Sequence, residues 1–345
     1  MGKLQVVVDG QYGSTGKGAV AAHLARQREA QGMAAVRVAG PNAGHTAVDR
    51  RGVRWALRQI PVAAVVNNSA TLYIAAGSEI DISVLLDEAA RLEAAGHAVY
   101  DRLIIDPMAT ILEPRHQQAE AELVGAIGST GKGIGAARAD RIMRGARLVR
   151  DTDLADRFEI APAAPELLDA LDDGQLVQIE GTQGHALGLH HPNYPQVTSS
   201  DCRAIDFLAM AGVMPWDERV DQFEVWLVFR PYPIRVAGNS GPLKGETTWE
   251  ALGLPEEKTT VTQKVRRVGL WDPDLAREAV AANGGPGPHL RVALTMADQL
   301  SPEVAGTTSV ADLTPPVLEF IDGMEELLRT QVRLVGTSDR TMVAL

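Results

Sequence analysis

Leu4-Gln5-Val6-Val7-Val8, then Gly13-Ser14-Thr15-Gly16-Lys17-Gly18, then Ala19-Val20-Ala21-Ala22-His23-Leu24 form an apolar run, a glycine-rich hexapeptide and an alanine-rich stretch at the start of the chain. In that order they read as a buried strand, a tight turn and a helix. Glycines permit the turn, the start of the helix offers N–H groups without an intrahelical partner, and Lys17 adds a point charge, so the segment suits a bound phosphate. It is not a Walker A loop. Gly10 lies one residue too far from Gly16, and Gly18 stands where a magnesium-binding Ser or Thr is required. Taken alone, the six residues also allow a plain glycine-rich turn with a solvated lysine.

The same hexapeptide recurs at Gly128 to Gly133. Its flanks differ, because helix-like Gln117 to Ala126 precedes the second copy whereas a strand precedes the first, so the chain does not carry an internal repeat. Two such loops point to two phosphorylated substrates meeting in one site.

Outward from the first loop, strand-like runs at Ala34 to Val38, Arg102 to Ile105, Leu176 to Ile179 and Leu290 to Leu294 alternate with helix-like Ile80 to Ala95 and Ala204 to Gly212. That alternation predicts an α/β fold, P-loop-NTPase-like, with a central, mostly parallel sheet flanked by helices and ligands at the strand C-terminal ends. Ala47 to Leu57, broken by Asp49-Arg50-Arg51-Gly52, reads as a hairpin appended to the sheet. No stretch has the composition of a flexible linker, and Asn283 to Pro288 is short enough to be a turn, so residues 1–345 are expected to form a single domain with hairpin and loop lobes.

A formal charge of −11 over 345 residues argues against a nucleic-acid partner, whose backbone is gripped by many basic contacts. Arg138, Arg141, Arg144, Arg147 and Arg150, spaced by three, are expected to form a solvated helix face. A single cysteine, Cys202, excludes an intrachain disulfide and a cysteine-based zinc site, and reads as a packing residue. Without a signal-like start or an apolar run of roughly 18 residues, the expected location is the cytoplasm, with no membrane partner.

Four further segments gather polar groups at expected strand ends: Gly40 to Thr46, Glu180 to Gly184, Tyr194 to Ser200 and Thr259 to Arg267. Singly they are weak signals, since a lone His45 is commonly structural and a lone Gln183 commonly caps or faces water. In this order, with the first loop, Gly128 to Gly135 and the closing Ser338-Asp339-Arg340, they resemble the adenylosuccinate synthetases over nearly the whole chain. The compact length is most similar to the shorter archaeal and viral members.

The resemblance implies that family's fold and a two-step ligation. A nucleoside triphosphate phosphorylates the 6-oxygen of a purine monophosphate, and the amine of L-aspartate then displaces the phosphate. It implies that Thr15, Gly16, Lys17, Gly18, Thr46, Asp298 and Thr337 meet the donor nucleotide, with Mg2+ near Ser14 and the Gly44 carbonyl. Ser14, Lys17, His45 and Gln183 are the implied catalytic set, His45 acting on the transferring phosphoryl group as donor or acid. The monophosphate falls to Ser14, Asn42, Thr130, Thr198 and Gln183, with Arg144 reaching across from a second subunit, hence a homodimer. Aspartate falls to Thr260, Thr262, Lys264 and Arg266, the planar fork of Arg266 matching a carboxylate. Arg267 is as readily an ion pair outside the site. His190 and His191 read as a loop over the base rather than as metal ligands.

Three departures shift the implied substrates. Ser14 stands where the family has an aspartate that takes the proton from purine N1, which resembles the viral 2-aminodeoxyadenylosuccinate synthetase branch. That branch acts on dGMP and makes a precursor of diaminopurine DNA. Lys264 replaces an arginine that touches the ribose 2′-hydroxyl, favouring a deoxyribose. In Leu294 to Asp298, Met296 replaces the lysine of a guanine-reading motif, which favours ATP or dATP over GTP as donor. An adenylosuccinate synthetase acting on IMP with GTP is the alternative, and a noncatalytic nucleotide-binding protein a more distant one.

Overall fold

The computed structural model describes residues 1–38, 40–259 and 264–345. Among the described residues ten strands share one sheet: β1 (Gly2–Asp9), β2 (Met33–Arg37), β3 (Ala70–Ile74), β4 (Leu103–Ile105), β5 (Glu159–Ile160), β6 (Leu176–Glu180), β7 (Val220–Phe229), β8 (Leu290–Leu294), β9 (Val332–Gly336) and β10 (Met342–Ala344). Their order is β10-β9-β8-β7-β1-β6-β2-β3-β4-β5. Neighbours run parallel except β9 with β10. The expected α/β class, the parallel sheet and the hairpin are all present.

β1 takes a central place because it is apolar on both faces. Leu4, Val6 and Val8 pack with Leu167, Phe207, Ala279 and Ile321, whereas Val7 packs with Val20, Leu24, Leu85 and Leu92 on the other side. A strand covered twice loses alternation and reads as a continuous apolar run, which is why it was visible in the sequence. The first layer comes from helices α4 (Ala163–Asp172), α5 (Ala204–Ala211), α6 (Pro273–Ala282) and α7 (Pro315–Leu328); the second from α1 (Lys17–Arg26) and α2 (Ile82–Ala94). Truncating the fully buried Phe207 to Ala would cost about 3–5 kcal/mol through lost transfer energy and the cavity left behind.

Local signals set the edges of these elements. The α2 helix starts after Asp81, whose carboxylate accepts from the N–H groups of Ser83 and Val84 as an N-cap. The hairpin His45–Val48 with Arg54–Leu57 is antiparallel and forms its own small sheet. Asp49 shapes its turn by accepting from Arg51 N and Val53 N, both at 2.9 Å.

One expectation fails. The arginine series is not a helix face: α3 (Ile134–Ile142) carries Arg138 and Arg141, Arg144 lies beyond it at φ 66, and Arg150 belongs to a separate short turn, Val149–Asp151. Arg144-Gly145 breaks the helix period that the spacing of three seemed to continue. Arg138 is not solvated either, since its guanidinium pairs with Glu79 at 2.7 Å. Among the described residues, no helix is long and apolar enough to cross a membrane.

Candidate active site

The chemistry-bearing residues converge at the C-terminal ends of the parallel strands. β1 ends in Asp9, β2 in Arg37 and β6 in Glu180, while Arg230, Thr295 and Thr337 directly follow β7, β8 and β9. On either side of β1 the chain order reverses, the position where an open α/β sheet leaves a crevice for ligands.

The first hexapeptide forms the turn between β1 and α1, with Gly16 at φ 79 as the cap residue. Asp9 organises it from beneath. Oδ1 accepts from Gln11 N at 2.8 Å and Gly13 N at 3.2 Å; Oδ2 accepts from Thr15 N at 3.3 Å, Thr15 Oγ1 at 2.5 Å and Lys17 Nζ at 3.0 Å. Lys17 also donates to the Gln183 carbonyl at 2.6 Å and is only 5 % exposed. Thr15 therefore commits its hydroxyl to Asp9. Gly18 is required by packing, because a Cβ there would stand 2.7 Å from Thr46 N and O.

Beside Lys17 lies a buried triad. His45 Nδ1 is 2.8 Å from Glu180 Oε2 and also contacts Arg37 Nη1, while His45 Nε2 has no partner among the described residues. Burial, reinforced by Arg37 and Lys17, holds His45 well below its ordinary pKa, so the ring is neutral. Burial also pushes Glu180 up to about 7, against the opposing charge of Arg37. The hairpin thus presents the free edge of a neutral imidazole near the buried Lys17 ammonium.

A second group faces the end of β6. Gln183 sits at φ 58 and donates through Nε2 to Asn42 Oδ1 at 3.1 Å, so these two expected monophosphate-binding residues meet. Thr198 N bonds the Leu187 carbonyl at 2.7 Å, and Arg138 bonds the neighbouring Ser199 carbonyl at 3.1 Å, which ties α3 to that segment. Thr130, in the second hexapeptide, is exposed. Arg144 is exposed as well, next to Ile142 and Met143, which are 70 % and 77 % exposed.

The third group joins the first loop to the segment near residue 266. Ser14, exposed at φ 57, accepts at Oγ from Arg266 Nη1 at 2.8 Å, and its carbonyl accepts from Arg230 Nη1 at 3.3 Å. Arg230 is fully buried against Glu257, which accepts from Nη1 at 3.1 Å. Lys264 is exposed; Thr260 and Thr262 lie outside the described residues. Arg267 is a structural ion pair, bidentate to Glu246 at 2.6 Å on both arms. Asp298 follows β8 with its pKa raised by burial, and Thr337 spends its hydroxyl on the Thr307 carbonyl at 2.8 Å. A Cβ added at Gly44 would meet nothing within 4 Å.

His185, His191 and Glu278 bring ligand atoms within 4.8 Å of one another. Asn193 N donates to His191 Nδ1, however, which places the ring proton on Nε2, 3.8 Å from Glu278, so a neutral His191 turns an N–H rather than a ligand's lone pair toward the cluster.

The family model for adenylosuccinate synthetase matches residues 6–161 and 153–302. The adenylosuccinate synthetase of Pyrococcus horikoshii is 39 % identical over 338 residues, covering 96 % of this chain and 95 % of the relative; that of Methanococcus aeolicus is 36 % identical over 336 residues, covering 96 % of each. The chain belongs to the adenylosuccinate synthetase family. Among solved structures, the cyanophage S-2L succinoaminodeoxyadenylate synthetase bound to dGMP and dATP superposes with a TM-score of 0.82 at 30 % identity, over 99 % of this chain and 94 % of the other. The Plasmodium falciparum adenylosuccinate synthetase gives 0.85 at 19 % identity over the full length of both, which shows the fold.

The synthetase is accordingly a purine-nucleotide ligase. Sequence reading missed four of the residues that build this candidate site: Asp9, Arg37, Arg230 and Glu257. Asp9 and Arg37 each closed an apolar strand, a place where a lone charge is costly to bury unless paired, and that was the signal available. Arg230 and Glu257 lie 27 positions apart, and no spacing reveals their pairing.

Proposed function

We propose that this synthetase joins the amine of L-aspartate to C6 of dGMP with ATP or dATP as phosphoryl donor, giving the N6-succinyl precursor of 2-aminoadenine deoxynucleotide. The γ-phosphoryl group goes to the 6-oxygen as its bond to the β-phosphate breaks and ADP or dADP leaves, and the ring N1 proton passes to solvent. The aspartate amine then adds at C6, and the C6–O bond breaks with phosphate leaving. Lys17 and the start of α1 carry donor phosphate charge, His45 Nε2 serves the transferring group, and Arg266 takes an aspartate carboxylate. Gln183 faces the base, with Asn42, Thr130 and Thr198 at the 5′-phosphate.

One observation carries the choice of purine: the side chain exposed at the turn of the first loop, beside Arg266, is an uncharged hydroxyl. Guanine presents a 2-amino donor next to N1 that hypoxanthine lacks, and a hydroxyl accepts from it in less space than a carboxylate. The likeness to the cyanophage protein bound to dGMP and dATP supports the same reading. The identity with archaeal adenylosuccinate synthetases favours the second reading, IMP with GTP.

Magnesium fits this site as a phosphate-borne ion. A Cβ on Gly44 would meet nothing within 4 Å, so there is room beside its backbone, and the Gly44 carbonyl and the exposed Ser14 hydroxyl are both neutral oxygen donors; phosphate oxygens and water would supply the remaining ligands. When bound, the ion neutralises charge on the transferring group. A homodimer belongs to the proposal, with Arg144 and the apolar Ile142 and Met143 turned toward a second copy's phosphate site.

The test is phosphate release with aspartate, magnesium and either monophosphate, against ATP, dATP and GTP. The expected outcome is at least about tenfold higher kcat/KM on dGMP with an adenine donor than on IMP with GTP. Turnover on IMP with none on dGMP overturns the proposal.

A further inference from the structure

The loop that receives the donor already contains an anion. Successive N–H groups of a glycine-rich turn converge on one centre and attract negative charge there. In this chain the centre is filled from within: the Asp9 carboxylate, 1 % exposed, collects the N–H groups of Gln11, Gly13 and Thr15, the Thr15 hydroxyl and the Lys17 ammonium. Five donors occupy both of its oxygens. A donor phosphate therefore meets the start of α1 instead, where the N–H groups of Lys17 and Gly18 lack an intrahelical carbonyl.

Lys17 is the movable part. Its ammonium is shared between Asp9 Oδ2 and the Gln183 carbonyl, so one side chain spans the donor loop and the purine-facing end of β6.

We propose that Asp9 is a positioning residue that stands in for phosphate inside the first loop, holds the loop in its binding shape before the donor arrives, and keeps Lys17 at the junction of the two substrate sites until donor phosphate draws it across. Asp9 acts through the loop and Lys17, not on the reacting atoms. The idea rests on the ligase reading and is independent of which purine is used.

The experiment uses whichever monophosphate the parent protein turns over; a parent inert toward every purine monophosphate sinks the ligase reading instead. Asp9→Asn keeps the size but turns an amide toward Lys17. Its kcat is expected to fall at least about 30-fold while the monophosphate KM stays within about threefold, the signature of a lost transition-state interaction. In the double variant Asp9→Asn with Lys17→Met the loss should not exceed that of Lys17→Met alone, because the two residues act as a unit. Asp9→Ala leaves room for a small carboxylate, and added formate should restore at least about tenfold in kcat where formamide, of similar size but uncharged, restores nothing. Turnover of Asp9→Asn within threefold of the parent, additive losses in the double variant, or no response to formate would each overturn the proposal. If circular dichroism shows Asp9→Asn unfolded, a folded double variant supports the matched charge pair. Failure of both to fold overturns it.

Discussion

The hexapeptide Gly-Ser-Thr-Gly-Lys-Gly folds twice in this molecule, into two different turns: Ser14 is left-handed at φ 57 in the first, whereas in the second the left-handed residues are Gly128, Gly131 and Gly133. A left-handed glycine caps the helix after each, but not the same one: Gly16, the fourth residue of the first copy, at φ 79 before α1, and Gly133, the sixth of the second, at φ 81 before α3, so that Lys17 lies inside its helix and Lys132 before it. Each also binds a carboxylate. In the first, Asp9 comes up from the centre of the sheet and buries Lys17 beside it. In the second, Glu120 comes from the turn after the short helix Pro114–Ala119 and accepts from Gly133 N at 2.8 Å and Ala136 N at 3.1 Å. Its negative charge suits the start of α3. Lys132 stays half-exposed and Thr130 fully so. The glycines set the turn in both; the origin of the acid decides whether the lysine is built in or left to solvent.

The sharpest way to break this comparison is to remove both lysines in turn. Lys17→Met is expected to lower kcat/KM by about 10³-fold, the upper range for losing one preorganised donor, whereas Lys132→Met costs less than about tenfold. Equal losses, read by phosphate release, would erase the distinction. Next in size is the serine. Ser14→Asp should shift the dGMP-to-IMP ratio of kcat/KM toward IMP by about 10²-fold, because a site rejects a partner whose donor it leaves unpaired or crowded; Ser129→Asp should leave the ratio within threefold. An unmoved ratio in Ser14→Asp removes Ser14 from purine selection. Smaller again is Glu120→Gln, which loosens the second loop. The monophosphate KM should rise about tenfold, about 1.4 kcal/mol, with kcat within threefold, so the two acids would fail in different kinetic constants.

The pattern of what was legible follows from range. The sheet, α1, the hairpin and the turn before β8 were readable because their signals are local: apolar runs, a glycine turn, an Asp-Arg-Arg-Gly break. β7 was missed although it neighbours β1, because its outer half, Val220-Asp221-Gln222, is polar and breaks the run. Ser14, His45, Gln183 and Arg266 were singled out through the family likeness alone, and the structure adds a direct contact between Ser14 and Arg266. Asp9 with Lys17, eight positions apart, and Glu180 with His45, 135 apart, are pairings made by the sheet. Composition and spacing do not encode them. The arginine series shows the converse, a regular spacing with no common face.

The last difference concerns what surrounds the first lysine, and it has the smallest expected effect. Lys17 helps keep His45 neutral, while burial lifts Glu180 from 4.5 to about 7. Between about pH 4.5 and 6.5 the unfolded chain holds one proton on this pair, on the histidine, and the folded chain also holds one, on the carboxyl. Equal proton counts mean that the pair adds no pH slope to stability in that window. Above pH 6.5 the folded carboxyl still holds a proton that the unfolded one has lost, so its contribution declines as pH rises through 7. Glu180→Gln removes the compensation. The unfolded variant then binds a proton on His45 below pH 6.5 that the folded one refuses, and stability relative to the parent should fall on acidification by up to about 1.4 kcal/mol per pH unit. Urea unfolding of variant and parent at pH 5, 6 and 7 measures this difference. If it stays constant across that range, His45 and Glu180 do not share a proton, and the buried setting of the first copy differs from the second in its lysine alone.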